Sequence, residues 1–182
     1  MKTLLSYQPV PGPRGKIGLP MGMNIYEMLP FWHAFFTSLG FEVVTSPLSN
    51  RELYIKGQHT IPSDTVCFPA KLMHGHVCTL IDEGVKTIFY PCLTYNFDEL
   101  EGLNFINDYL GVHRKKDFPE KMHGVLAKYF DGISLKEVKT ASEKGYAEYE
   151  HYLDTIRKEG DAMIRQAEAN QMPIIVLCGR PY

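Results

Sequence analysis

The sequence predicts an α/β fold: a Rossmann-like three-layer arrangement around a mostly parallel sheet, with a long C-terminal helix leading to the start of a second lobe. Three observations predict it. Short β-branched or aromatic runs, "KIGLP", "FEVVTS" and "VKTIFYP", alternate with stretches of helical periodicity. The strands carry apolar residues on both faces, as strands do when helices cover both sides of a parallel sheet. A last helical pattern, over 134–172, runs further than such a lobe is wide.

At 182 residues and 45% hydrophobic, the chain is long enough to bury a core. A formal charge of −2 gives no electrostatic reason to expect a nucleic acid or an anionic membrane as partner. The N-terminus has only Leu4 and Leu5 as an apolar run, too little for a signal peptide, and no stretch approaches a membrane span. Four cysteines, Cys67, Cys78, Cys92 and Cys178, form no C-x-x-C and sit in a chain too large to need disulfide staples. Reduced thiols and a cytoplasmic location are the expectation.

Residues 1–16, with Pro9, Pro11, Gly12, Pro13 and Gly15, read as an extended linker, and 17–133 as the α/β lobe. After the strand "KIGLP", Asn24 and Glu27 make a capping pair for a helix with the stripe Ile25, Met28, Leu29, Trp32, Phe35, Phe36 and Leu39. Gly40 ends it, and Pro30 inside it costs one backbone hydrogen bond without breaking the period. "FEVVTS" is the second strand. Ser49 and Glu52 repeat the capping pair for a short helix ending at Gly57. The stretch "SDTVCFPAKLMHGHVCTLIDEG" predicts a helix over about 69–83. Pro69 suits its first turn, Gly84 its exit, and Ala70, Met73, Val77, Leu80 and Ile81 share its apolar face. "VKTIFYP" is a third strand and "LNFIND" a candidate fourth; Phe118-Pro119-Glu120 opens a helix reaching about Phe130. Ser134 and Glu137 cap the last helix, whose apolar residues Val138, Ala141, Tyr149, Leu153, Ile156, Met163 and Ala167 continue to about 170. At 1.5 Å per residue it spans on the order of 50 Å and is expected to cross between two lobes. "PIIVLCGRPY", 173–182, reads as the first buried strand of the second lobe, left without a covering helix, so the chain is expected to be a fragment of a longer polypeptide.

The chemistry-bearing residues gather at strand exits and helix starts. Cys67 precedes the first turn of its helix, where free N–H groups and the helix dipole favour a thiolate; Cys92 follows the strand ending at Tyr90. In an open parallel sheet these positions share the carboxyl edge, where ligands bind, so both sulfurs are expected on one rim. Lys71, one turn into the helix, raises the positive potential there. Small buried residues near turns would leave the same pattern, and no metal-ligand spacing decides between the two. Lys71, His74 and Cys78 lie at helical spacing, but Cys78, between Val77 and Leu80, reads as core. His74 and His76 flank Gly75 and point to different sides, which argues against joint zinc ligation; a helical histidine is ordinarily a hydrogen-bonded structural residue. No oriented histidine can be assigned to a cysteine nucleophile from spacing.

Four blocks in order, "IGLPMGMNIYEMLPFWHAFFTSLGFEVVTSP", "IPSDTVCFPAKLMHGHV", "IFYPC" and "VLCGRPY", resemble the domain of unknown function of large CoA-substrate-specific enzyme activase-related proteins, relatives of the 2-hydroxyacyl-CoA dehydratase and activator components. The resemblance runs from about Gly12 to Tyr182. It implies a Rossmann-like lobe in which Cys67 of "SDTVCFPAK" and Cys92 of "FYPC" are thiolate ligands of a 4Fe-4S cluster. It also implies low-potential electron transfer, driven by an ATPase activator, to the dehydration of a 2-hydroxyacyl-CoA. The chain itself carries no ATPase motif, and the isolated chain is expected without its cluster. Resembling proteins continue after the second cysteine with an "N-C-P" segment, whereas here "YNFDE" runs into "LEGLNFIND". A block is therefore expected to be missing between Glu99 and Leu100, which a Cα step well beyond about 3.8 Å would show.

The leading expectation is thus an iron-sulfur module with metal ligands Cys67 and Cys92, and Lys71 and His74 as further cofactor-binding candidates. Its partners are other domains of the same longer polypeptide. The alternative is a metal-free CoA-thioester or nucleotide module using the helix starts at Asn24 and Ser49 for phosphate, although no G-x-G-x-x-G follows the first strand. A purely structural docking lobe is the third reading.

Overall fold

Strand β1 (Lys16–Leu19) is central in the computed structural model, which describes residues 3–91, 104–106, 108 and 110–177. It pairs in parallel with β2 (Glu42–Thr45) on one side and with β3 (Thr87–Phe89) on the other; β4 (Asn104–Ile106) adds beside β3, giving the order β2-β1-β3-β4. Every described pairing is parallel, so the chain is a mixed α/β protein with a parallel sheet. Gly18 stands in register with Val44 and Ile88. That row faces Leu80, Val85 and Val77, while Ile17, Leu19, Val43 and Phe89, one position on, face the larger core.

The larger core is aromatic because α1 (Met23–Ser38) buries Phe31, Trp32, Phe35 and Phe36 on one stripe. Trp32 meets Phe89 of the sheet at 4.5 Å between ring centres, and Phe31 meets Phe118 of α4 (Phe118–Leu126) edge-on at 5.5 Å. Pro30 lies within α1 as expected, and Gly40 at φ 86° takes the left-handed step that releases the chain into β2. On the other face, α2 (Arg51–Gly57) crosses α3 (Phe68–Asp82). The crossing is glycine-lined: a Cβ on Gly57 would run into the backbone of His74 and Gly75, and one on Gly75 into the carbonyl of Leu53.

Two expected caps are displaced. α1 starts on Gly22 with no side-chain cap, and Asn24 lies within its first turn. α2 is capped by Asn50, whose Oδ1 accepts from the Leu53 amide at 2.8 Å, because the Ser49 hydroxyl is committed elsewhere. The third expected cap forms in full: Ser134 and Glu137 make a reciprocal capping box opening α5 (Leu135–Ala169). Arg14 adds a 2.8 Å ion pair to Glu137, whose carboxyl is held at about 2 by the Ser134 amide first and the Arg14 guanidinium second.

Residues 3–15 pack onto the lobe. Leu4 is buried in the main core, Tyr7 donates to the Glu148 carboxylate at 2.6 Å, and the Arg14 amide donates to the Gly40 carbonyl at 3.0 Å. α5 buries Val138, Ala141, Ser142 and Gly145 against α1 and α4, and its later turns stand in solvent. The buried strand expected over 173–182 is not formed where the structure describes it. Residues 172–177 have no regular structure and are exposed, Leu177 at 92%, since no described strand lies beside them to satisfy their backbone. The Glu99–Leu100 junction lies outside the described residues.

Candidate functional site

α3 opens as its sequence requires. Cys67 is the N-cap in extended conformation, Pro69 sits in the first turn, and no side chain caps the free amides. The Cys67 thiol is exposed. Lys71 bends back to donate from Nζ to the Asp64 carbonyl at 2.9 Å, fastening the loop that carries the cysteine to the first turn of the helix. Phe68, 59% exposed, stands beside Cys67 with Tyr54 of α2 at 5.4 Å between ring centres.

His74 and Cys78 both lie beside the Thr60 hydroxyl, whereas Lys71 turns back to the Asp64 carbonyl. His74 Nδ1 is 2.8 Å from Thr60 Oγ1, and that hydroxyl spends its proton on the Gly57 carbonyl at 2.8 Å. His74 Nδ1 therefore carries the hydrogen and donates. Burial lowers the proton affinity of His74. Burial also pushes the half-buried Cys78 thiol up, with the Thr60 hydroxyl beside it pulling less strongly the other way, in keeping with a core thiol. His74 thus ties α3 to the turn after α2, two helical turns or about 10 Å along the axis from Cys67.

The residue that spacing passed over is His76. It is fully buried, with Nδ1 2.8 Å from Ser46 Oγ and Nε2 2.9 Å from Ser49 Oγ. Ser46, just past β2, also accepts from the Met21 amide at 2.8 Å. One imidazole so joins the loop after β1, the segment after β2, and α3. Burial holds its pKa at about 4, so it is neutral near pH 7. The cue in the sequence was a histidine facing the same way as Met73 and Leu80, a polar residue on a buried stripe. Nothing in the linear pattern pointed to serines 30 and 27 residues earlier as its partners.

His76 also marks the level of the strand ends. Cys67 stands nine residues before it on the helix, about 13 Å along the axis. Cys92 and Cys178 lie outside the described residues. Among the described residues no group of three or more His, Cys, Asp or Glu could hold a metal ion, and no helix is long and apolar enough to cross a membrane.

No curated protein and no solved structure matches the chain. The family model described as the CoA enzyme activase uncharacterised domain matches it in two pieces, residues 16–104 and 95–182, whose overlap spans the Glu99–Leu100 junction. Together the two pieces cover all of the strands and helices described above, and the chain belongs to the CoA enzyme activase uncharacterised domain family.

Proposed function

We propose that this domain is an activase-related, Rossmann-like lobe of a longer cytoplasmic polypeptide, and that it presents Cys67 as one thiolate donor to a 4Fe-4S cluster. The observation that carries the reading is an exposed thiol at the uncapped N-terminus of α3, held in place by the Lys71–Asp64 contact. Family membership fits an activase-related role.

The described residues fit such a group only in part. Cys67 suits a soft metal, but it belongs to no group of three or more donors among them. The second ligand is assigned to Cys92, and a third to a loop after it, to Cys178 or to a partner; an ATPase activator, a partner domain of the same polypeptide, drives the electron. A bound cluster supplies one-electron chemistry at low potential, here directed at the dehydration of a 2-hydroxyacyl-CoA. What this chain contributes is a fixed sulfur: it stands at the start of α3, Lys71 holds its loop, and His74 fixes the helix behind it.

Anaerobic reconstitution with iron and sulfide is the test. Broad visible absorption should develop and should fall in both Cys67→Ser and Cys92→Ser; spectra unchanged in both variants reject the reading. Calorimetry with a CoA thioester on the double serine variant separates the metal-free alternative, which requires binding that survives loss of both thiols.

A further inference from the structure

We propose that the Ser46–His76–Ser49 bridge is an acid-released latch: uptake of one proton by His76 parts α3 from the segments that follow β1 and β2. The proposal does not rest on the cluster reading.

The wiring follows from counting hydrogens. The Ser46 oxygen accepts from the Met21 amide, and among the described residues the only acceptor bonded to its own proton is His76 Nδ1. Ser46 is buried, at 3% exposure, so no water relieves it of that proton. Nδ1 is therefore the acceptor, and Nε2 carries the ring hydrogen and donates to Ser49 Oγ. This excludes a serine hydrolase triad, since the ring nitrogen facing the exposed Ser49 already holds a proton and cannot act as its base.

The same count shows what a second proton does. It adds at Nδ1, the one free lone pair of the ring. Ser46 must then accept from both Met21 and His76, leaving its own hydroxyl proton buried without an acceptor. Among the described residues the new positive charge meets no carboxylate. The groups bonded to the imidazole are the two serine hydroxyls, Met73 and Gly22 close around it are uncharged, and burial is the sole cause of its lowered basicity. The charged residues on the elements around it are engaged or exposed elsewhere: Lys71 of α3 donates to the Asp64 carbonyl, Asp82 of α3 pairs with Lys56, and Arg51 and Glu52 are exposed at the start of α2. A buried cation so placed is relieved only by reaching water. The route to water is the separation of α3 from Ser46 and Ser49, because the sheet behind is closed by Leu80, Val85 and Ile88.

The test is amide hydrogen exchange of the whole chain between pH 7 and pH 4, corrected for intrinsic exchange, with Trp32 fluorescence as the monitor of the opposite core. Protection over 46–50 and 68–76 should fall at least tenfold across that range while Trp32 stays buried. In His76→Gln, which keeps a neutral amide at the position, the pH dependence should vanish. The 15N resonances of His76 should show a protonated Nε2 and a bare Nδ1 at pH 7. Protection that is flat with pH, loss that coincides with Trp32 exposure, the same pH dependence in His76→Gln, or a protonated Nδ1 at pH 7 would each overturn the proposal.

Discussion

At the scale of single residues, His76 and Cys67 divide the work of α3. His76 binds a proton less readily folded, at about 4, than unfolded, at about 6.5. Between those values the unfolded chain holds the extra proton, so the stability it confers is complete above pH about 6.5 and lost as pH falls to about 4. The loss is on the order of 3 kcal/mol, and urea unfolding at stepped pH should show it, with His76→Gln flattening that limb. From pH about 4.5 downward, overlapping the end of that window, Glu137, held down by the Ser134 amide and Arg14, loses its own contribution. Cys67 should react with a bulky thiol reagent well before Cys78, since the first is exposed and the second half-buried with its thiol pushed up. Comparable rates by mass spectrometry would contradict the placement of both. The position of Cys67 was legible because Pro69 marks a first turn wherever the helix packs. The role of His76 was not, because a ring between two serines is a contact across three loops, and helical periodicity reports only one face of one element.

At the scale of elements, the α2–α3 crossing and the cap of α5 set testable costs. Gly75→Ala places a methyl against the Leu53 carbonyl and should cost about 1–3 kcal/mol, since neither backbone can yield without the other. Gly124→Ala in α4, where no atom lies within 4 Å of the new methyl, should instead be neutral or stabilise by up to about 1 kcal/mol. Thermal melts of the pair compare crowding with propensity at the same kind of residue. Ser134→Ala removes half of the capping box and should cost about 1 kcal/mol in the same melts. The α5 cap was readable from the sequence, because both partners lie within four consecutive residues. The cap of α2 was misplaced by one position: Ser49 and Asn50 are both competent, and only the distant His76 decides which of them is free to cap.

At the scale of the whole molecule, α5 is two helices in one. Its first turns close the aromatic core through Val138, Ala141 and Gly145; past Ile156 the described residues are mostly exposed, Met163 at 67%. Ending the chain after Arg157 should therefore shift urea stability by less than about 1 kcal/mol, whereas Ala141→Asp, at a fully buried position, should unfold it. Most of the element order and the parallel sheet followed from the sequence alone, because strand and helix periods are local and the crossover rule leaves few topologies. What only the tertiary structure decided is which polar groups meet: His76 with Ser46 and Ser49, Tyr7 with Glu148, Arg14 with Glu137. Those pairs join residues 27 to 141 positions apart. A hydrogen bond requires two particular atoms at one distance, whereas burial requires only that a face be apolar, so burial can be read along the chain and pairing cannot.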